Sequence, residues 1–355
     1  MPTFPSNRVE HMASAVFVAA GASADTAHRV AEALVASDLA GHPSHGLLRL
    51  PQYIGAIRSG HLVPDAEPTV VSDDGCIAVV DGQWGFGQIA AEMVAALAAA
   101  KAERHGLACV ALRRANHVGR LSDYGCMVAE QGHAALVFVN GHGRSELVAP
   151  FGGAARRLAT NPVCIAVPDG DGSPIVFDAA TSIIAEGKVR LARNRGERVP
   201  ADCVIDGEGH ATTEPGDLYG PPPGALLLMG GRVEYKGFGL SLMTDILAGA
   251  LSGAGCSGSG ERGGNAMLML AIHVSRLIAP EAFREHVRAL CAHVRTAPLR
   301  EGAERILMPG EPEQQSRARL LAEGVHMDEA TWRQIVDAGR SVCMDPEALA
   351  AGPDA

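Results

Sequence analysis

Apolar positions recur at helical spacing through the first 60 residues. Ala27, Val30, Ala31, Leu34 and Val35 follow the capping candidates Ser23 and Asp25, and Gly41, His42 and Pro43 break the pattern. From Cys76 the period changes. Short β-type runs lie at 76–80, 108–112, 136–139, 163–167, 175–177 and 226–229. Helical stretches separate several of them, at 88–104, 120–131 and 183–193, and Gly106 and Gly132 close the first two. A further helix is expected after Gly237, through Leu240 to Leu251, followed by a Gly/Ser-rich loop over 252–264. Beyond Pro280 the helical pattern returns, with Phe283, Val287, Leu290, Cys291 and Val294 on one stripe. The pattern predicts an α/β body flanked by helical segments from both chain ends.

Length and charge narrow the functional classes. A chain of 355 residues has room for about two domains and needs no staples to hold its core. The formal charge of -10 argues against nucleic acid and anionic membrane surfaces as partners, because both require a basic face. The first ten residues carry no apolar signal-like run, and no apolar run reaches membrane-spanning length, so a cytoplasmic protein is expected. The eight cysteines include no CxxC pair, which removes the usual zinc and redox motifs; they read as small buried hydrophobes.

Two glycine runs imitate a dinucleotide-binding fingerprint. Gly258-Ser259-Gly260-Glu261-Arg262-Gly263 follows a helical run instead of a strand, so the turn that would cradle a pyrophosphate lacks its context. Gly85-Phe86-Gly87-Gln88-Ile89-Ala90 stands before a helix, but Asp81 to Trp84 separate it from the strand. The next strand ends on Arg113-Arg114, not on an acidic ribose acceptor. Those two arginines are candidates for a cofactor 2′-phosphate.

Four segments carry candidate chemistry. Ser44 suits a helix N-cap, and in a helix starting there His45, Arg49 and Tyr53 share one face, although Pro51 fits only if the helix starts nearer Leu48. Arginine grips a carboxylate with a two-pronged fork and histidine exchanges protons near neutrality, a combination suited to an oxyacid. A solvated polar helix face explains the same residues equally simply. His117, in Asn116-His117-Val118-Gly119-Arg120, sits in a loop after a strand, where catalytic groups are often mounted. Asp178 follows the strand at 175–177 and is placed to orient a histidine, while Thr181 or Ser182 would cap the helix at 183. Lys236 opens a helix where basic charge is unfavourable, which suggests an anionic partner.

Together these segments resemble the type 2 malate/L-lactate dehydrogenase family, the non-Rossmann branch of 2-hydroxyacid dehydrogenases. The resemblance rests on AGHPSHGLLRLPQY (40–53), NHVGR (116–120), VAPFGG (148–153), ATNP (159–162), FDAATSIIAEGK (177–188), EYKGFGL (234–240) and MPGEPE (308–313), in the family's order. HGLACVALRRANHVGR and the stretch at 81–88 look most similar to hydroxycarboxylate dehydrogenases of broad 2-oxoacid range. Departures are Val139-Asn140-Gly141-His142-Gly143, where many members carry Thr-Asn-Thr, and Ala179, where Met is common.

The resemblance implies an α/β, non-Rossmann fold with a large mixed β-sheet cofactor domain at 75–283 and a helical domain built from 1–74 and 284–355, usually as a homodimer. It implies hydride transfer between NAD or NADP and C2 of a 2-oxo/2-hydroxy acid pair, or a related reduction of a cyclic imino acid. His45 and His117 become acid/base candidates, Arg49 the carboxylate clamp with Ser44 and Tyr53 beside it, and Asp178 and Lys236 neighbours of the catalytic centre. Cofactor contacts carry over to His45, Gly119, Arg120, Leu121, Val176, Phe177, Asp178, Ala179, Ala180, Tyr235, Asn265, Gly310, Glu311, Pro312 and Glu313. Two other classes remain: a metal-dependent hydrolase using His42, His45 and His117 or Asp178, and a non-catalytic sensor of the cofactor or hydroxyacid. No metal is expected on the dehydrogenase reading.

Overall fold

The computed structural model describes residues 2–169, 173–260 and 262–351; Met1, residues 170–172, residues 352–355 and Glu261 of the 258–263 glycine run lie outside them. The chain opens with a two-residue strand, β1 (Thr3–Phe4), and two helices, α1 (Ser6–Ala19) and α2 (Ala24–Leu39). Ser23 caps α2 by accepting the Thr26 amide, and the predicted stripe from Ala27 to Val35 is buried. Two 3-10 turns lead into α3 (Leu50–Arg58). The body follows with β2 (Thr69–Asp74), β3 (Ile77–Asp81), α4 (Gly87–His105), β4 (Leu107–Ala115), α5 (Leu121–Ala129) and β5 (His133–His142). Next come β6 (Val163–Val167), β7 (Ile175–Ala179), α6 (Glu186–Arg195) and three short strands, β8 (Val204–Ile205), β9 (Ala211–Thr212) and β10 (Ala225–Leu226). Helix α7 (Tyr235–Asp245) continues as a π-helical turn over Ile246–Ala250, and β11 (Gly264–His273) returns to the body. The end is helical, with α8 (Pro280–Arg295), α9 (Glu311–Glu323), β12 (Val325–His326), α10 (Glu329–Arg340) and α11 (Pro346–Ala351).

Seven strands form one mixed sheet in the order β2-β3-β4-β11-β5-β6-β7. β3 and β4 pair in parallel across the α4 crossover, and the other neighbours are antiparallel. Helix α4 packs closely on the sheet because its buried face is largely alanine, and it stops at Gly106, which takes φ 84°, a left-handed conformation suited to glycine. The central strand β11 is absent from the sequence reading, which ended the loop at Gly264 and left 265–273 unassigned. Its run of Met, Leu and Ala has little β-branching, and it is covered on both faces, so no alternation marks it.

Three larger apolar clusters and a small fourth of Ala149, Ile205 and Ala225 divide the interior. One lies between the sheet and α4 with α5. A second joins both chain ends: α1, α2 and α3 share it with Leu320, Val325 and Ile335, and β1 pairs with β12 beside it. The third surrounds β8, β10 and α6, a small unit the sequence pattern did not announce. The stripe on α8 is helical as expected, but no residue of that helix is buried, and Leu290 is 62% exposed. The cysteines also differ from expectation. Cys164 and Cys203 are buried, five are half-buried and Cys343 is exposed; Cys76, Cys256 and Cys343 lie in loops or turns, and Cys291 is on the poorly covered α8.

Candidate active site

A local contest between Pro, Gly and a buried carboxylate shapes the first segment. Residues Pro43–His45 make one 3-10 turn and Leu47–Arg49 a second, and α3 begins only at Leu50 with Pro51 in its first turn, where a missing N–H costs little. Ser44 is therefore not an N-cap; its Oγ lies 3.1 Å from Nδ1 of His45. The turns are held from below by Asp38 of α2, whose carboxylate accepts the Leu47 amide at 2.9 Å. Gly46 is required there: a Cβ would stand 2.0 Å from Asp38 Oδ1. Burial pushes the Asp38 carboxyl up to about 7, against the pull of the Leu47 hydrogen bond.

These turns bring His45, Arg49 and Tyr53 together with His117 of the loop after β4, around a cavity of about 500 Å³ where the three larger apolar clusters meet. The His45 and His117 rings stack with centroids 5.6 Å apart and 15° between planes. His117 Nδ1 lies 2.7 Å from the Tyr53 hydroxyl, which accepts at 2.8 Å from Gln88 of α4. Tyr53 therefore holds one ring nitrogen and leaves Nε2 of His117 for chemistry. Burial, then the charge of Arg49, keeps both rings neutral: His45 falls to about 3 and His117 well below the ordinary histidine value. Burial likewise raises Tyr53 to about 12.

Arg49 is not a lone clamp. Its Nε donates to the Ser44 carbonyl at 2.7 Å, and one terminal nitrogen donates to Gln52 at 2.8 Å and to Glu186 at 3.1 Å. The other oxygen of Glu186 accepts two bonds from Arg190, at 3.1 and 2.9 Å, and one from Tyr219 at 3.0 Å. Burial alone would raise the Glu186 carboxyl, but the two arginines overcome it and hold it below its ordinary value. The cluster carries one net positive charge. Gly187 lets α6 approach, since a Cβ there would lie 2.5 Å from the Ser44 Cβ. The sequence reading missed Asp38, Gln88, Glu186 and Arg190. Glu186 and Arg190 stand in a polar helical run whose only sequence signal is the EGK of the family-like stretch.

The cofactor-type residues divide between two cavities. Gly119 and Asn265 line the first, and Asn265 accepts the Val118 amide at 3.0 Å. Arg120, Val176, Asp178, Gly310 and Glu313 line a second of about 190 Å³, where His42 bonds Glu313 at 3.0 Å. Leu121 is buried at the head of α5, Phe177 is exposed, and Ala179 and Ala180 are half-buried at the end of β7. Glu311 accepts the Met308 amide at 2.8 Å, and Pro312 lies in the first turn of α9. Tyr235 packs on Phe151 with ring centroids 6.3 Å apart; Lys236 is exposed in the first turn of α7, and neither lines these two cavities. Asp178 accepts the Ser122 amide at 2.8 Å, so it caps α5 and does not orient a histidine. Thr181 and Ser182 do not cap the next helix, which starts at Glu186; their hydroxyls donate to the Thr160 and Ile184 carbonyls.

The groups lining the second cavity suit a dinucleotide. Gly310 (φ 98°) leaves backbone bare, Asp178 and Glu313 offer hydroxyl acceptors, and Arg120 and Arg317 offer cations. The imitation fingerprint has another use: a Cβ on Gly87 would lie 2.2 Å from the Asn116 carbonyl, so that glycine seats the His117 loop. Arg113 and Arg114 both pair with buried Asp81, at 3.5 and 2.8 Å, and are engaged there instead of standing free for a phosphate. The ligand set of the hydrolase alternative does not converge. Among the described residues His42, His45, His117 and Asp178 form no group able to hold a metal.

Comparison with known proteins gives concordant results. The family model for malate/L-lactate dehydrogenase matches residues 4–336. Hydroxycarboxylate dehydrogenase B of Escherichia coli K12 is 35% identical over 353 residues, 98% of this chain and 96% of that protein. L-lactate dehydrogenase of Cupriavidus necator is 36% identical over 329 residues, covering 91% and 93%. A solved structure of a candidate malate/lactate dehydrogenase from E. coli superposes with a TM-score of 0.92 at 35% identity, over 99% of this chain and 98% of that one.

Proposed function

The chain belongs to the malate/L-lactate dehydrogenase family, and from that premise we propose that the cavity between His45, His117 and Arg49 interconverts a 2-oxo acid and its 2-hydroxy acid. The observation that carries this reading is a neutral imidazole pair beside an arginine–glutamate–arginine cluster of net charge +1, in which Arg49 and Glu186 are buried and Arg190 is half-buried. A nicotinamide, when bound, supplies or takes the hydride at C2 of the substrate. Gly119 and Asn265 would hold its reactive end, and Asp178, Arg120, Gly310 and Glu313 the remainder.

Arg49 and Arg190 attract the substrate carboxylate, and one terminal nitrogen of each has no partner among the described residues. His117 exchanges the proton through Nε2. With Nδ1–H donating to Tyr53, Nε2 of the neutral ring takes the hydroxyl proton of the hydroxy acid, and the imidazolium so formed returns that proton to the alkoxide in the reverse direction. His45 stacks on this ring and fixes its plane. Four arginines and two glutamates line the cavity, which favours anionic substrates over neutral ones.

The wider frame follows the same reading. The shared core of the chain ends supports a helical domain built from both of them, packed on a nicotinamide-binding body whose sheet begins with β2 at Thr69. The exposed apolar stripe of α8 supports a homodimer, checked by sedimentation of Leu290→Glu. Eight unpaired cysteines accord with a cytoplasmic enzyme, and among the described residues no helix is long and apolar enough to cross a membrane.

The decisive assay follows nicotinamide absorbance with NADH and NADPH in parallel against pyruvate, oxaloacetate, phenylpyruvate and a cyclic imino acid. Turnover of a 2-oxo acid is expected, with its loss in the His45→Ala/His117→Ala double variant. Undiminished turnover in that variant overturns the roles. Cofactor binding with no turnover of any compound points to a sensor.

A further inference from the structure

A second cluster of titratable groups lies at the other end of the sheet. His133 opens β5 and His273 closes β11, and the two are register partners, so their side chains leave the same face of adjacent strands. Their rings meet edge to face, with centroids 4.8 Å apart. Glu103, near the end of α4, reaches between them: its Oε2 lies 3.2 Å from His273 Nε2 and 3.8 Å from His133 Nε2. From Asn265 at the first cavity to His273, β11 climbs about 27 Å at the usual rise per residue. The cluster therefore plays no part in the chemistry proposed above.

His133 is 1% exposed, yet its Nδ1 has no hydrogen-bond partner and its Nε2 approaches only Glu103. Nε2, which faces the Glu103 carboxylate at 3.8 Å, is the nitrogen that a bound cation would engage. We propose that Glu103, His133 and His273 form a site for a divalent transition metal of the zinc class. Two imidazoles and a carboxylate are the ligands such an ion takes, and bonds of about 2.0–2.2 Å in a tetrahedron place ligand atoms about 3.4 Å apart. The three ligand atoms here lie within 4.8 Å of one another, so small rotamer shifts close the set. Ser275 Oγ lies at the edge of the His273 ring, 3.3 Å from Nδ1 and 3.4 Å from Nε2. The exposed side of Glu103 leaves the fourth position to water. Occupied, the site clips the end of α4 to two central strands.

The test uses untagged full-length protein, stripped with a chelator and titrated with Zn²⁺ by calorimetry and with Co²⁺ by visible absorption. One ion per chain, a tetrahedral Co²⁺ band and a higher melting temperature with Zn²⁺ are expected. Glu103→Gln, at an exposed position that leaves packing intact, and His273→Ala are each expected to weaken binding by about tenfold or more and to abolish the band, with 2-oxo acid turnover unchanged. No saturable binding by the parent protein, or the same affinity and spectrum in both variants, overturns the proposal.

Discussion

Asp38 offers a quantitative test of how the His45 segment is held. Its carboxyl is buried beneath the two 3-10 turns and lies at about 7 in the folded chain, against an ordinary value of 3.8. The folded state therefore keeps a proton that the unfolded state has released between those two values. Stability falls as pH rises through that window, and the loss is complete above about pH 7. At about 1.4 kcal/mol for each pH unit of displacement, the full cost is about 4 kcal/mol, of which about 2–3 kcal/mol develops between pH 5 and 8. Asp38→Asn removes the titration and keeps an oxygen for the Leu47 amide. Urea unfolding of the two proteins across that range should show the variant gaining on the parent as pH rises, with turnover of a 2-oxo acid retained because the turns keep their anchor. Parallel stability curves would refute the claim that this carboxylate is buried at a cost.

His117→Ala should lower turnover by about 10²–10⁴-fold, and Tyr53→Phe by less, since it loses only the group holding Nδ1; equal losses in steady-state kinetics would contradict the relay. Because both imidazoles are shifted below the ordinary histidine value, the base form persists as pH falls. The kcat/KM for hydroxy acid oxidation should then show no break near 6.5, and a break there would assign the base elsewhere. Glu186→Ala strands Arg49 and Arg190 and should cost about 3–5 kcal/mol in urea unfolding, whereas a neutral result would mean that the pair is solvated. Gly46→Ala drives a methyl into Asp38 and should raise KM for the acid as the turns shift; kinetics matching the parent would disprove the contact.

α2 was legible from its helical period, and β6 and β7 as short β-type runs between loops, while the central strand β11 was not, since a strand buried on both faces has no alternation to read. At the site, His45, Arg49, Tyr53 and His117 were legible as chemically apt residues in suggestive places. Their company was not: Gln88 and Glu186 reach them across 35 and 137 positions, and no spacing rule joins such positions. Glycines misled in an instructive way. Gly87 looked like a phosphate turn and serves to seat the His117 loop, because a bare backbone allows any close neighbour, not only a ligand. The same blindness covers Glu103, His133 and His273, which meet only because β5 and β11 pair in register.

The charge arrangement ties binding to proton transfer. Without substrate, a proton on His45 or His117 would add a positive charge beside Arg49 in a desolvated cavity, and this is why both rings stay neutral. The cluster of Arg49, Glu186 and Arg190 already carries one uncompensated charge. On the proposed reading, a bound carboxylate cancels that charge and so removes part of the repulsion facing an imidazolium. His117 becomes a better base only once an acid is in place. A substrate analogue lacking the carboxylate should therefore lose turnover as well as affinity, because the charge it fails to bring is one the proton transfer needs.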